Sequence, residues 1–148
     1  MRDTRPVATP ARSLTRESLG AWLVKSSLDI RSEVATISAR CVRKSYRTAL
    51  VEAGQPVLLW LSGGAGLPAG IYGHGRTTGP VAITREDGPV MPVRLAALDA
   101  PVLRRELLDH PVLSRLEVVR MPAGSNPSFV TSHQFDVLCA YRHQLADA

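Results

Sequence analysis

Cysteine is nearly absent from this chain: only Cys41 and Cys139 occur in 148 residues. Their wide separation excludes a disulfide scaffold and any CxxC site, and it fits a reducing cytoplasm. Aromatics are also few, with two Trp, three Tyr and two Phe. No apolar run approaches the ~18 residues of a membrane-spanning helix. The opening MRDTRPVATPARS carries charge but lacks the apolar core of a secretory signal. No HExxH, GxSxG, Walker loop or paired-carboxylate signature is present. The four histidines, His74, His110, His133 and His143, form no i, i+4 pair. We therefore expect no metal and no cofactor.

What is present fits one ordinary globular domain, 45% apolar and 21% charged in 16.0 kDa. The charge is uneven. Residues 1–50 hold 10 basic and 4 acidic side chains, whereas 51–148 hold 8 and 9, so the excess lies in the first third. Sixteen of the 18 cations are arginine, whose planar fork suits phosphate bidentately. A polyanionic partner follows as an expectation; a solvated arginine-rich face is the plain alternative.

Residues 1–18, punctuated by Pro6 and Pro10, read as a flexible basic tail, and 19–148 as the domain. Residues 21–28 (AWLVKSSL), 56–62 (PVLLWLS) and 71–78 read as strands, the last two joined by a Gly-rich hairpin loop. In that loop Gly64-Ala-Gly66-Leu-Pro-Ala69 matches a dinucleotide fingerprint. The fingerprint requires a helix to follow, and Gly70, Gly73, Gly75 and Gly79 forbid one. Residues 90–98 read as a strand that Pro92 confines to an edge or bulge. Asp99 is expected to cap a short helix over 100–108, and 116–121 reads as strand-like. Asp29 is placed to cap a short helix through Glu33, and 41–50 reads as loop with a short strand or turn. Thr131 with Gln134 is a capping box that opens the C-terminal helix. Tight and Gly-rich connections argue for an α+β fold, a small mixed β-barrel with flanking helices.

Trp22 and Trp60 fall on expected strands, with Ser26 and Ser62 beside them. They read either as core or as a stacking wall for a nucleobase, with serines to meet its edge. Arg40, Arg43, Lys44 and Arg47 surround Tyr46, mixing cations and an aromatic as phosphate-contacting patches do. Cys41 stands between Arg40 and Arg43, cations that favour a thiolate, whereas Cys139 reads as an inert helix thiol.

The run Trp22-Leu-Val-Lys25-Ser26 resembles the opening strand of the EVE and YTH families of the PUA-like superfamily. Further segments resemble EVE domains in particular. They are Gly54-Gln55-Pro-Val-Leu-Leu-Trp60-Leu-Ser62, Ala69-Gly-Ile71-Tyr72-Gly73-His-Gly75 and Arg120-Met-Pro-Ala-Gly124-Ser-Asn126-Pro127. These matches run in order over about residues 20–140. Where the family often has a Trp before its basic segment, this chain has Arg40 and Cys41. The resemblance implies a PUA-like barrel with a pocket that receives a flipped, often modified, base. Carried over by position, it implies Lys25 and Ser26 at the pocket mouth, Trp60 and Ser62 in its wall, and Asn126-Pro127 on a neighbouring loop. The expected function is a DNA- or RNA-binding reader of a modified base, without catalysis or membrane association. The alternatives are a PUA-like hydrolase, in which an acid converges on Lys25, and a binder of a small nucleotide-like ligand.

Overall fold

Strand β3 (Pro56–Leu61) buries five residues in succession, Val57 to Leu61, so both of its faces are covered. The computed structural model explains why; it describes residues 13–64 and 66–147. Most of the expected basic tail, residues 1–12, lies outside the described residues.

β3 sits centrally between β1 (Leu19–Ser26), which runs parallel to it, and β4 (Gly70–Thr77), which is antiparallel. β6 (Gly88–Leu103) pairs with β4 and carries both β2 (Ala39–Cys41) and β5 (Ala82–Thr84). β7 (Ser128–Thr131) adds to the free side of β1, giving the order β2-β6-β4-β3-β1-β7. This mixed seven-stranded sheet curls into a half-barrel. Its two ends are tied together where the Arg43 N–H donates to the Asn126 carbonyl (2.9 Å) and Asn126 Nδ2 donates to the Cys41 carbonyl (3.1 Å).

Each face of the sheet has its own core. Ala21, Leu23, Leu58, Trp60 and Ile71 pack under the helices with Leu107, Leu116 and Leu138. Trp22, Val24, Val57, Leu59, Met91 and Val93 pack on the other face with Val34 from the 3-10 turn Arg31–Thr36. The parallel register fixes this split, because Trp22 lies opposite Val57 while Trp60 lies opposite Lys25. The two tryptophans therefore point into different cores.

Two expected elements are corrected. Residues 99–103 are not helix; β6 runs on to Leu103 because Val102 and Leu103 pair with Ile71 and Gly70. Helix α1 (Arg104–Leu108) starts only there, and Glu106 reaches back to accept the Leu103 N–H at 2.8 Å. Residues 116–121 are not strand-like, since α2 (Glu117–Arg120) turns there to bury Val118 and Val119. Pro92 is accommodated because β4 ends opposite Val93, and the Pro92 carbonyl still accepts from Thr78. The expected capping box is present: Thr131 Oγ1 accepts the Gln134 N–H (3.1 Å) and Gln134 Oε1 accepts the Thr131 N–H (3.0 Å) at the start of α3 (Ser132–Tyr141). Among the described residues no helix is long and apolar enough to cross a membrane.

Candidate functional site

The Trp22, Trp60, Ser26 and Ser62 wall does not form. Trp22 is fully buried, and its indole Nε1 donates to Gln55 Oε1 at 2.7 Å, which satisfies its one polar group within the core. Trp60 is 2% exposed in the opposite core. Ser26 is buried, and its hydroxyl both accepts the Leu28 N–H and donates to the Leu28 carbonyl, closing the end of β1. Ser62 is exposed just beyond β3. These four residues hold the sheet and its strand ends; none lines the clefts around Arg47.

The remaining expected residues do converge. Lys25 Nζ donates to the Pro122 carbonyl (2.9 Å), and an Arg40 Nη2 donates to the Lys25 carbonyl (2.8 Å). The segment 122–127 is thereby drawn over the end of β1 and against β2. Arg43, Tyr46, Ser125, Asn126 and Pro127 line a cleft of about 200 Å³ there, with Arg47 at its back. On the far side of Arg47 a larger cleft of about 430 Å³ is lined by Arg115, Glu117, Arg120, Met121, Phe129 and Gln134 among others.

Arg47 is the partition between the two clefts, and its expected role as a phosphate contact is corrected. Its Nη1 and Nη2 donate to Glu117 Oε1 and Oε2 at 2.9 and 2.8 Å, and Nη1 also donates to the Pro127 carbonyl at 2.9 Å. The guanidinium stacks 4.8 Å from the Phe129 ring centre. Ser128 Oγ donates to Glu117 Oε1 at 2.7 Å, completing a cross-brace between the 3-10 turn Tyr46–Leu50, α2 and β7. The Glu117 hydrogen bond holds the Arg47 guanidinium above its usual range. Burial opposes ionisation of Glu117, but Arg47 and Ser128 together keep its carboxyl below the usual carboxylate range. Burial lowers the Lys25 ammonium from its ordinary value, with Glu117 opposing and Arg47 adding to the shift. Arg40 is likewise occupied as a latch to the Lys25 carbonyl, so it too is corrected as a free phosphate contact.

At these clefts and beside them, the exposed cations that make no side-chain hydrogen bond or ion pair among the described residues are Arg43, Lys44, Arg115 and Arg120. Arg115 and Arg120 were not singled out as phosphate contacts from sequence. Arg120 opens the Arg-Met-Pro-Ala-Gly segment, a signal that was available; Arg115 carried none. Tyr46, 55% exposed, is held by accepting the Leu14 N–H at 3.1 Å and presents its ring beside Arg43 and Asn126. Cys41 is exposed, whereas burial raises the half-buried Cys139 thiol.

The arrangement can do two things chemically. It can neutralise phosphates along an exposed arc of cations, and it can hold a planar group between Tyr46 and the Asn126 amide. No protein-family model matches this chain, and no curated protein matches it. Solved structures do. A hypothetical protein from Leishmania major has a TM-score of 0.68 at 14% identity, over 88% of this chain and 99% of that one. A protein from Pseudomonas putida has a TM-score of 0.64 at 19% identity, and one from Pseudomonas syringae 0.65 at 16%, each over 82% of this chain and 99% of the other. At such identities the likeness is one of fold.

Proposed function

We propose that the chain is a nucleic-acid-binding module that accepts a nucleobase in the Tyr46–Asn126 cleft and performs no chemistry on it. The observation that carries this reading is the convergence of cations from distant segments. Arg43 follows β2 and lines the smaller cleft, with exposed Lys44 next to it in the chain, while Arg115 just before α2 and Arg120 at its end line the larger one. Phosphate contacts of this kind position a nucleic acid without reading its sequence. Tyr46 supplies a stacking face, where a base–aromatic contact contributes ~1–3 kcal/mol. Asn126 supplies an amide for the base edge, its Nδ2 already held by the Cys41 carbonyl. Motif resemblance to EVE domains, and through them to the PUA-like superfamily, supports the same reading.

A hydrolase would need a free acid or base beside Lys25. The acid that converges there is Glu117, and both of its oxygens are held by Arg47 and Ser128. Lys25 itself donates to a backbone carbonyl. Such a saturated network favours a structural brace over a proton-transfer pair.

Fluorescence anisotropy of labelled single- and double-stranded DNA and RNA, over a salt series, tests the proposal. Replacing Arg43, Lys44 or Arg120 singly by alanine is expected to weaken binding of every sequence and to lower the salt slope by ~1 each. Tyr46→Ala is expected to erase any preference for a modified base and leave the salt slope intact. Wild-type protein that binds no oligonucleotide at low salt would refute the reading.

A further inference from the structure

A second cavity, of about 480 Å³, lies on the β4–β6 face and shares no lining residue with the clefts around Arg47. His74, Arg76, Arg94 and Ala96 line it from one face of the two strands, since His74 pairs with Ala96 and Arg76 with Arg94 in the antiparallel register. Two features are unexplained by folding alone. Arg76 and Arg94 stand directly opposite each other, an arrangement of like charges that destabilises a sheet. Neither has an ion-pair partner among the described residues; Arg76 donates to the Gly54 carbonyl (2.7 Å), and the Arg94 guanidinium makes no hydrogen bond there. His74, 5% exposed, has a buried Nδ1 without a hydrogen-bond partner among the described residues. Leaving a buried polar atom unpaired is costly.

We propose that this cavity is a binding site for a small molecule bearing a phosphate monoester. The paired guanidinium groups form a fork for the phosphate oxygens, relieving their mutual repulsion. Ala96, with the side-chain-free backbone at Gly75, offers an apolar bed for the body of the ligand. Burial holds the imidazole of His74 below its ordinary range, with Asp147 opposing. A neutral imidazole keeps one N–H to give a phosphate oxygen. Asp147, at the rim, repels an anion and sets a limit on affinity. The site is independent of the nucleic-acid reading.

Phenyl phosphate is the probe, followed through the His74 ring resonances of isotope-labelled full-length protein. Saturable movement of those resonances is expected, with benzoate binding more weakly. Arg94→Ala, which breaks no hydrogen bond among the described residues, is expected to weaken phenyl phosphate about tenfold or more, the loss of a charge-assisted hydrogen bond. Asp147→Asn is expected to tighten it. Absence of any His74 movement at tens of millimolar phenyl phosphate would overturn the proposal. So would identical movement in a folded Arg76→Ala/Arg94→Ala variant. Displacement of phenyl phosphate by an oligonucleotide would also overturn it, by making the face part of a nucleic-acid surface; Arg43→Ala, which weakens only the other site, tells the two apart.

Discussion

Glu117→Gln tests the brace that shapes both clefts around Arg47. The substitution keeps the side-chain volume but removes the charge that Arg47 faces, with the two side chains only 12% and 14% exposed. Breaking a buried ion pair from one side costs ~3–5 kcal/mol, chiefly because the remaining charge is stranded. Glutamine retains one oxygen to accept from Arg47, and the pair is not wholly sealed from water. We therefore expect a loss of ~2–4 kcal/mol, or roughly 5–12 °C in Tm for a domain of this size. Urea unfolding followed by the fluorescence of buried Trp22 and Trp60 measures it. The pH dependence gives a second readout. Because the carboxyl of Glu117 is held below its ordinary value of 4.5, its contribution is fully present above that pH. It is lost as pH falls through the lower folded value. The variant should therefore lose less stability than wild type on acidification. An unfolding free energy within ~0.5 kcal/mol of wild type, the range of a neutral surface change, would refute the assignment of Arg47 and Glu117 as a structural brace.

Trp60→Ala is expected to cost ~3–5 kcal/mol in urea unfolding while leaving the salt slope of oligonucleotide binding unchanged wherever the variant is folded. A near-native stability would return Trp60 to the role of a cleft wall. Thr131→Ala removes the hydroxyl that accepts the Gln134 N–H and is expected to cost ~1 kcal/mol, read as a lower urea midpoint.

Local signals carried the strands well where composition changed sharply at their ends. β3 begins at Pro56, after the Gly54 turn, and β4 begins after the Gly-rich loop, so both were legible to within a residue. β7 was missed because its four residues, Ser128–Thr131, the last of them the helix cap itself, show no alternation in sequence; only the partner edge of β1 makes them a strand. Asp99 looked like a cap because a side-chain cap is a local pattern. The extension of β6 is instead set by Gly70 and Ile71, some thirty residues earlier in the chain. Trp60 illustrates the main ambiguity. Alternation tells which residues share a face, but the parallel neighbour β1 and the helices above it decide that both faces of β3 are buried. Arg43 and Arg47 were indistinguishable in sequence as members of one basic cluster. Glu117, seventy residues away, makes one a brace and leaves the other facing solvent.

Nucleic acid is expected to enter the clefts that flank Arg47. Amide and side-chain chemical-shift mapping, during titration with oligonucleotides carrying modified and unmodified bases, tests it most directly. Movement is expected at Arg43, Lys44, Tyr46, Asn126 and Arg120, with His74 and Arg94 unmoved. Saturating oligonucleotide that leaves the first set still, or that moves only the His74 face, would contradict it.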